Sequence, residues 1–205
     1  MSQESSGQDF VAIIDDDDDV REIVHRMLTK LGMHVQAYHS AHEFLDDPRR
    51  DDCACVVVDV RLPGISGVEL HRQLRTQARV PAVVFISGYG DIPMAVDAMR
   101  NGAVDFLPKP FREQQLLDSV QRALLQSVQA REAREQQDKV AARRVTLTPR
   151  ENEVLGCLLR GLRAREIGTA LGIATKTAEE HRANVMHKMQ ATSIAQLVAM
   201  CALTP

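Results

Sequence analysis

No stretch of this 205-residue chain stays apolar for long. The longest unbroken run, Leu197–Leu203, covers seven residues, far short of the roughly 20 that a membrane-spanning helix needs. The polar opening MSQESSGQDF has neither the basic nor the apolar region of a secretory signal. Both absences point to the cytoplasm and away from a membrane. Cysteine is sparse: Cys53, Cys55, Cys157 and Cys201 sit in apolar surroundings without metal-ligand spacing. That suits small core residues in a reducing compartment better than disulfides or a metal site. A strong charge excess is also missing, with 25 basic against 28 acidic residues and a net charge of -3. The near balance hides an asymmetry. Residues 1–126 carry -7, residues 127–145 carry +2 and residues 146–205 carry +2, so only the back half is suited to meet nucleic acid.

What is present fits a globular protein of two domains, with 44% hydrophobic and 26% charged residues. Four short apolar runs mark the first half: Phe10–Ile14, Cys53–Val58, Ala82–Ile86 and Ala103–Leu107. Such runs fit strands buried on both faces of a parallel sheet. His34–Tyr38 reads as a weaker strand. Between the strands lie helical periods, Val20, Ile23, Val24, Met27, Leu28 and Leu31, then Val68, Leu70 and Leu74. Further helices are expected over Ala41–Leu45, Ile92–Arg100 and Glu113–Val128. Strand and helix alternating five times predict a doubly wound α/β domain with a five-stranded parallel sheet.

From Gln126 to Arg144 the chain has neither Gly nor Pro and is rich in Ala, Glu, Gln and Arg. It reads as a continuation of the last helix of the α/β half, a helical spacer with little apolar surface. A small all-α domain follows. Thr148, Pro149 and Glu151 supply a cap, a first-turn proline and a capping box, and Gly161 ends that helix. Ala164–Leu171 stops at Gly172, Thr175–Met189 comes next, and Ser193 caps a last helix to Leu203. Two short helices joined at a glycine turn make a helix-turn-helix whose second member reads DNA. The expected domains are thus 1–126, a linker 127–145, and 146–205.

Polar residues fall where the strands end. Asp15 and Asp16 follow the first strand, Asp59 the third and Ser87 the fourth, and Lys109 comes two residues after the fifth. In a parallel sheet these carboxyl ends share one edge, where open α/β sheets place their ligand sites. Clustered carboxylates repel one another and invite a hard divalent cation such as Mg²⁺. One of them can then attack a phosphoryl donor as an already ionised nucleophile, while Lys109 neutralises phosphoryl oxygens and Ser87 donates a hydrogen bond. Each feature alone has a plainer explanation: five aspartates as a solvated loop, Asp59 as a turn or cap residue, Ser87 with Gly88 as a turn, Phe106 as core. The joint pattern of four strand ends each carrying a fitting residue outweighs them.

The strings IIDDDDDVR, VVVDVRLPGISGVEL, FISGYGDIPMAV and GAVDFLPKPF resemble a CheY-type receiver over about the first 125 residues. The resemblance implies that Asp59 is the phosphoacceptor. It further implies that Asp15, Asp16, Asp59 and the backbone carbonyl of Arg61 hold Mg²⁺. Ser87 and Phe106 become the switch pair, and Lys109 the phosphate-binding lysine, with a cis bond to Pro110. Asp17, Asp18 and Asp19 read as structural or solvated, with Asp19 able to cap the first helix. The strings LTPRENEVL, GLRAREIGTALGI, TKTAEEHRANVMHKM and SIAQLV resemble the LuxR-type helix-turn-helix. Both halves are similar to the FixJ branch of the FixJ/NarL response regulators.

That family implies a transcription regulator with a sensor histidine kinase as donor, double-stranded promoter DNA as target, RNA polymerase as a possible contact, and a homodimer when phosphorylated. No enzymatic activity is implied beyond slow hydrolysis of its own acyl phosphate. Lys176, Thr177 and Arg182 are candidates for phosphate contact, and Glu179, Glu180 and Ala183 for base readout. The chain departs from the pattern at Ala174, where relatives often carry a capping Ser or Thr, at Ala178, where Val is usual, and at Glu180, where Val is frequent. Glutamate accepts from cytosine N4, so Glu180 points to changed specificity. Two rival functions stay open: a phosphate sink with a vestigial helix-turn-helix, and an RNA-binding antiterminator, whose outputs lack this tri-helical core.

Overall fold

The computed structural model describes residues 9–77, 79–88 and 92–202. Leu203, expected to close the last helix, and residues 89–91 of the quoted receiver string lie outside the described residues. Along the chain run β1 (Phe10–Ile14), α1 (Asp18–Thr29), β2 (Val35–Tyr38), α2 (Ala41–Asp46), a 3-10 turn (Arg50–Asp52), β3 (Cys53–Asp59) and α3 (Gly67–Leu74). Then follow β4 (Ala82–Ser87), α4 (Ile92–Arg100), β5 (Asp105–Pro108) and α5 (Glu113–Val145). The sheet order is β2-β1-β3-β4-β5, and every pair is parallel.

The apolar runs form strands because both faces of the sheet are covered. Phe10, Ala12, Ile14, Val56, Val58 and Phe85 meet Phe44 of α2, Leu70 and Leu74 of α3 and Ala98 of α4. The alternate residues Val11, Ile13, Cys55, Val57 and Ile86 meet Val24 and Leu28 of α1 and Leu116 and Val120 of α5. This period-two division gives each strand a share in two cores. Phe44 and Phe85 are fully buried, so truncating either to alanine costs roughly 3–5 kcal/mol.

Local details differ from the sequence expectation. Strand β5 begins at Asp105 rather than Ala103, because Gly102 and Ala103 donate their N–H groups to Met99 and Ala98 and close α4. One apolar run is thus divided between a helix end and a strand. Helix α1 is capped by Asp17, whose side chain accepts from the N–H groups of Asp19 and Val20, so Asp19 is not the cap. Asp17 has the extended backbone a cap requires, and Asp19 is already inside the helix. Ile23, Leu31 and Val68, which belong to the apolar helical periods, are exposed.

The chain forms two compact units, one ending at Arg131 and the other beginning at Glu132. The second unit contains the end of α5 together with α6 (Pro149–Leu159), α7 (Ala164–Leu171), α8 (Thr175–Met189) and α9 (Ile194–Ala202). The capping box forms: Thr148 Oγ1 accepts from Glu151 N–H, and the Glu151 carboxylate accepts from Thr148 N–H at 2.8 Å. The core gathers Leu147, Leu155, Leu158, Ile167, Ala178, Val185, Met189 and Leu197, and Val140 as well. Val140 lies in the segment read as a spacer with little apolar surface; it is 3% exposed and belongs to this core. A Cβ at Gly168 would stand 2.8 Å from the Ile173 carbonyl oxygen, so glycine is what lets α7 pack so closely on the turn before α8. Cys53, Cys55 and Cys157 are buried free thiols, and burial pushes Cys53 up to about 12, which leaves it unreactive. Among the described residues no helix is long and apolar enough to cross a membrane.

Candidate functional site

With the order β2-β1-β3-β4-β5, the chain leaves β1 in one direction and resumes at β3 in the other, so the edge beyond β1 and β3 is the switch point of the sheet. Asp15 follows β1 directly and is 1% exposed; Asp59 ends β3 and is 6% exposed. Lys109, just past β5, holds both: its Nζ lies 2.6 Å from Asp15 Oδ2 and 2.7 Å from Asp59 Oδ1. The remaining carboxylate oxygens are set by backbone. Asp15 Oδ1 accepts from Asp17 N–H at 3.0 Å, and Asp59 Oδ2 accepts from Arg61 N–H at 2.6 Å. Helix α3 starts hard against this corner, since a Cβ on Gly67 would fall 2.2 Å from the Asp59 carbonyl oxygen. Only glycine permits that approach.

The electrostatics are those of a buried cation-seeking pair. Burial raises the Asp15 carboxyl above its ordinary value, and the Lys109 ammonium and the Asp17 N–H pull it back down. Burial acts to lower Lys109, but the hydrogen bonds it donates to Asp15 and Asp59 outweigh it and hold the ammonium above its ordinary range. Ser87 is buried at the end of β4, and its carbonyl accepts from Lys109 N–H at 2.7 Å, which anchors the lysine to the sheet. Phe106 packs half-buried at 6.3 Å from the Phe85 ring. The Lys109–Pro110 bond is cis.

Of the expected metal ligands, the structure brings Asp15 and Asp59 together and leaves Asp16 exposed, with no hydrogen bond or ion pair among the described residues. Among the described residues no three His, Cys, Asp or Glu side chains group to hold a metal. The two converging carboxylates nevertheless fit Mg²⁺, which binds through one or two carboxylates and keeps several waters.

On α8 the buried residues Ala178, Val185 and Met189 define the inner face. At 100° per residue, Lys176, Glu180 and Ala183 point directly away from it, and Glu179 stands beside them. All four are exposed; the half-buried Thr177 lies as far round the helix as Glu179 on the opposite side, and Arg182 flanks the inner face. Asn184 and His187 share the outward side and are exposed. The reading from sequence missed both, although their i+4 and i+7 spacing from Glu180 signals them. Ala174 has the extended backbone of a cap but makes no side-chain cap hydrogen bond, which costs α8 about 1 kcal/mol against Ser or Thr.

Comparison with known proteins agrees with this geometry. The family profile "Response regulator receiver domain" matches residues 11–121. The profile "Bacterial regulatory proteins, luxR family" matches residues 145–201. A doubly wound receiver with an acidic switch-point corner, followed by a LuxR-type helix-turn-helix, defines a response regulator of two-component systems. This chain belongs to that family, in its FixJ-like branch. It is 42% identical to the transcriptional regulatory protein FixJ of Azorhizobium caulinodans, over 94% of this chain and 92% of that one. It is 39% identical to the response regulator protein TodT of Pseudomonas putida, over 92% and 83%. The solved structure of the response regulator StyR is 41% identical with a TM-score of 0.80, covering 95% of this chain and 98% of that one. That of full-length FixJ from B. japonicum is 36% identical with a TM-score of 0.57, covering 97% and 98%.

Proposed function

We propose that this chain accepts a phosphoryl group on Asp59 from a sensor histidine kinase and then regulates transcription by binding double-stranded promoter DNA as a homodimer in the cytoplasm. The observation that carries this is the Lys109 ammonium shared by Asp15 and Asp59 at the sheet's switch point, in a chain that also carries a LuxR-type domain. The parts assigned are a receiver over 1–126, a helical spacer over 127–145 and a DNA-binding domain over 146–205.

An Asp59 oxygen attacks phosphorus while the bond from phosphorus to the donor breaks, leaving an acyl phosphate on Asp59 and the donor's leaving group free. Ionised Asp59 needs no general base. Lys109 stands where it can follow the charge from the carboxylate to the phosphoryl oxygens, and Ser87 at the end of β4 is placed to donate to them. Asp15, Asp59 and the Arg61 carbonyl would hold Mg²⁺, joined by Asp16 if its side chain turns inward. When bound, the ion supplies the remaining neutralisation of phosphoryl charge. Ser87 and Phe106 then form the switch that passes the event to the face of α4 and β5. In the second domain Lys176, Thr177 and Arg182 contact phosphates, and Glu179, Glu180 and Ala183 face base edges, with RNA polymerase recruited at the bound promoter.

The test is intact-mass analysis with acetyl phosphate and Mg²⁺. The wild-type chain gains one phosphate and Asp59→Asn gains none. Gain by the variant at the wild-type rate removes Asp59 from its role.

A further inference from the structure

A groove of about 650 Å³ lies between α3 and α4, floored by the loop that follows β3. Its volume is that of a small-molecule site. None of Asp15, Asp59 and Lys109 lines it, although Val60 and Arg61, which directly follow Asp59, do. Val60, Leu62, Met94 and Ala98 give it an apolar bed.

Two polar side chains of the groove, His71 and Arg75, keep hydrogen-bonding capacity that no described residue takes up. His71 is only 5% exposed, yet its imidazole makes no hydrogen bond among the described residues. No sealed side-chain nitrogen or oxygen of the described residues lacks a partner, so the ring nitrogens of His71 are open to the groove it lines. The ring is held in place from behind, edge-on to Phe85 with centroids 5.5 Å apart. Burial and the nearby Arg75 lower its affinity for a proton, so near neutral pH it offers one N–H donor and one acceptor. Arg75 donates to Asn101 Oδ1 at 3.0 Å, tying α3 to α4 at one end of the groove, and makes no ion pair among the described residues. Arg72 differs, because Glu69 already neutralises it.

We propose that this groove binds a small organic acid, with its carboxylate between Arg75 and the His71 N–H and its hydrocarbon body over Leu62, Met94 and Ala98. A bare phosphate would leave the apolar bed exposed, and a plain hydrocarbon would seal off the imidazole with its hydrogen bonds unmade. An amphipathic carboxylate satisfies both halves of the lining.

The test uses the full-length chain with benzoate as probe and benzyl alcohol as its neutral counterpart, followed by NMR at the His71 ring and the Met94 methyl. Benzoate is expected to shift both signals saturably. Arg75→Gln, a change at an exposed side chain, is expected to weaken binding at least about tenfold, the share of one charge-assisted contact. Arg72→Gln is expected to leave the affinity within about twofold, because that guanidinium is already paired. Equal binding of the alcohol, indifference to Arg75→Gln, or no saturation up to about 10 mM, on the order of −2.7 kcal/mol, overturns the proposal. Shifts at the same signals that grow with protein concentration without acid would mean that a second copy of the chain covers the groove, and would overturn it too.

Discussion

Nζ of Lys109 lies 2.7 Å from Oδ1 of Asp59, and the same ammonium reaches Asp15 at 2.6 Å. One cation therefore serves two buried carboxylates, and the pair retains a net negative charge. A divalent ion that binds only the folded arrangement stabilises it by mass action, by about 2.7 kcal/mol at a hundred times its Kd. Thermal melts of the full chain are expected to show the receiver transition rising by several degrees with Mg²⁺. Asp15→Asn is expected to lose most of that rise. An unchanged Mg²⁺ increment in the variant would show that Asp15 is not a ligand.

The receiver face that should answer phosphorylation carries apolar side chains in solvent. Val96 and Met99 of α4 are 42% and 45% exposed, while Phe106 packs on Phe85 at the adjoining strand. Movement of Ser87 toward a phosphoryl group would vacate space that Phe106 can fill, repacking this face in a two-state manner. Light scattering is expected to show a doubling of mass on beryllofluoride treatment at tens of micromolar, on the order of ordinary assay concentrations. Val96→Asp is expected to remain monomeric under the same treatment. A wild-type chain that stays monomeric counts against dimerisation through this face.

In the second domain the acid response follows from Glu151. Its side chain is 5% exposed, and its hydrogen bonds to Lys188 and the Thr148 N–H hold the carboxyl below the usual 4.5. A lowered folded-state value means that the group's stabilisation is present above about pH 4.5 and is lost as pH falls through the folded value. Melts of the Glu132–Pro205 fragment should therefore fall below pH 4.5 more steeply in wild type than in Glu151→Gln. The variant should also be the less stable of the two at pH 7, since the half-buried Lys188 ammonium then faces a neutral amide in place of a carboxylate, although Gln can still close the capping box. Parallel acid profiles would dismiss Glu151 as the titrating group.

Most of the fold was legible in the sequence because its signals are local. The apolar runs, the Thr148–Glu151 box and the glycines after α6 and α7 each act within a few residues, and β1, α4, α7 and α8 have the bounds their residues announce. The acidic corner was legible for a different reason: parallel topology alone puts strand ends on one edge. What escaped depends on contacts that periodicity does not record. Ala103 looks like strand and serves a helix end, and Val140 looks like spacer until α6 to α9 assemble around it. His71 carries no signal at all, since a histidine within a helical period reads the same whether or not it has a partner.

Val140 also fixes how the DNA-binding domain must be cut for measurement: a fragment starting at Val145 omits a core residue, whereas Glu132–Pro205 retains it. That fragment holds 11 basic and 8 acidic side chains, and Glu179 and Glu180 are exposed on α8. Electrostatic attraction to DNA phosphates should accordingly be small and the fragment's binding weak. Pairing two copies through phosphorylated receivers makes the second contact intramolecular, which raises avidity by about 10² to 10⁴ without any new contact. A two-fold dimer also presents its recognition helices symmetrically, so an inverted-repeat site is expected. The measurement is a binding titration at fixed salt of the fragment, the unphosphorylated chain and the phosphorylated chain on one promoter. Only the phosphorylated chain should bind tightly, and its footprint should show two related half-sites. Three affinities within a few-fold of one another would mean that receiver-driven pairing does not control binding, leaving a receiver that merely uncovers a preformed site or has no part in it.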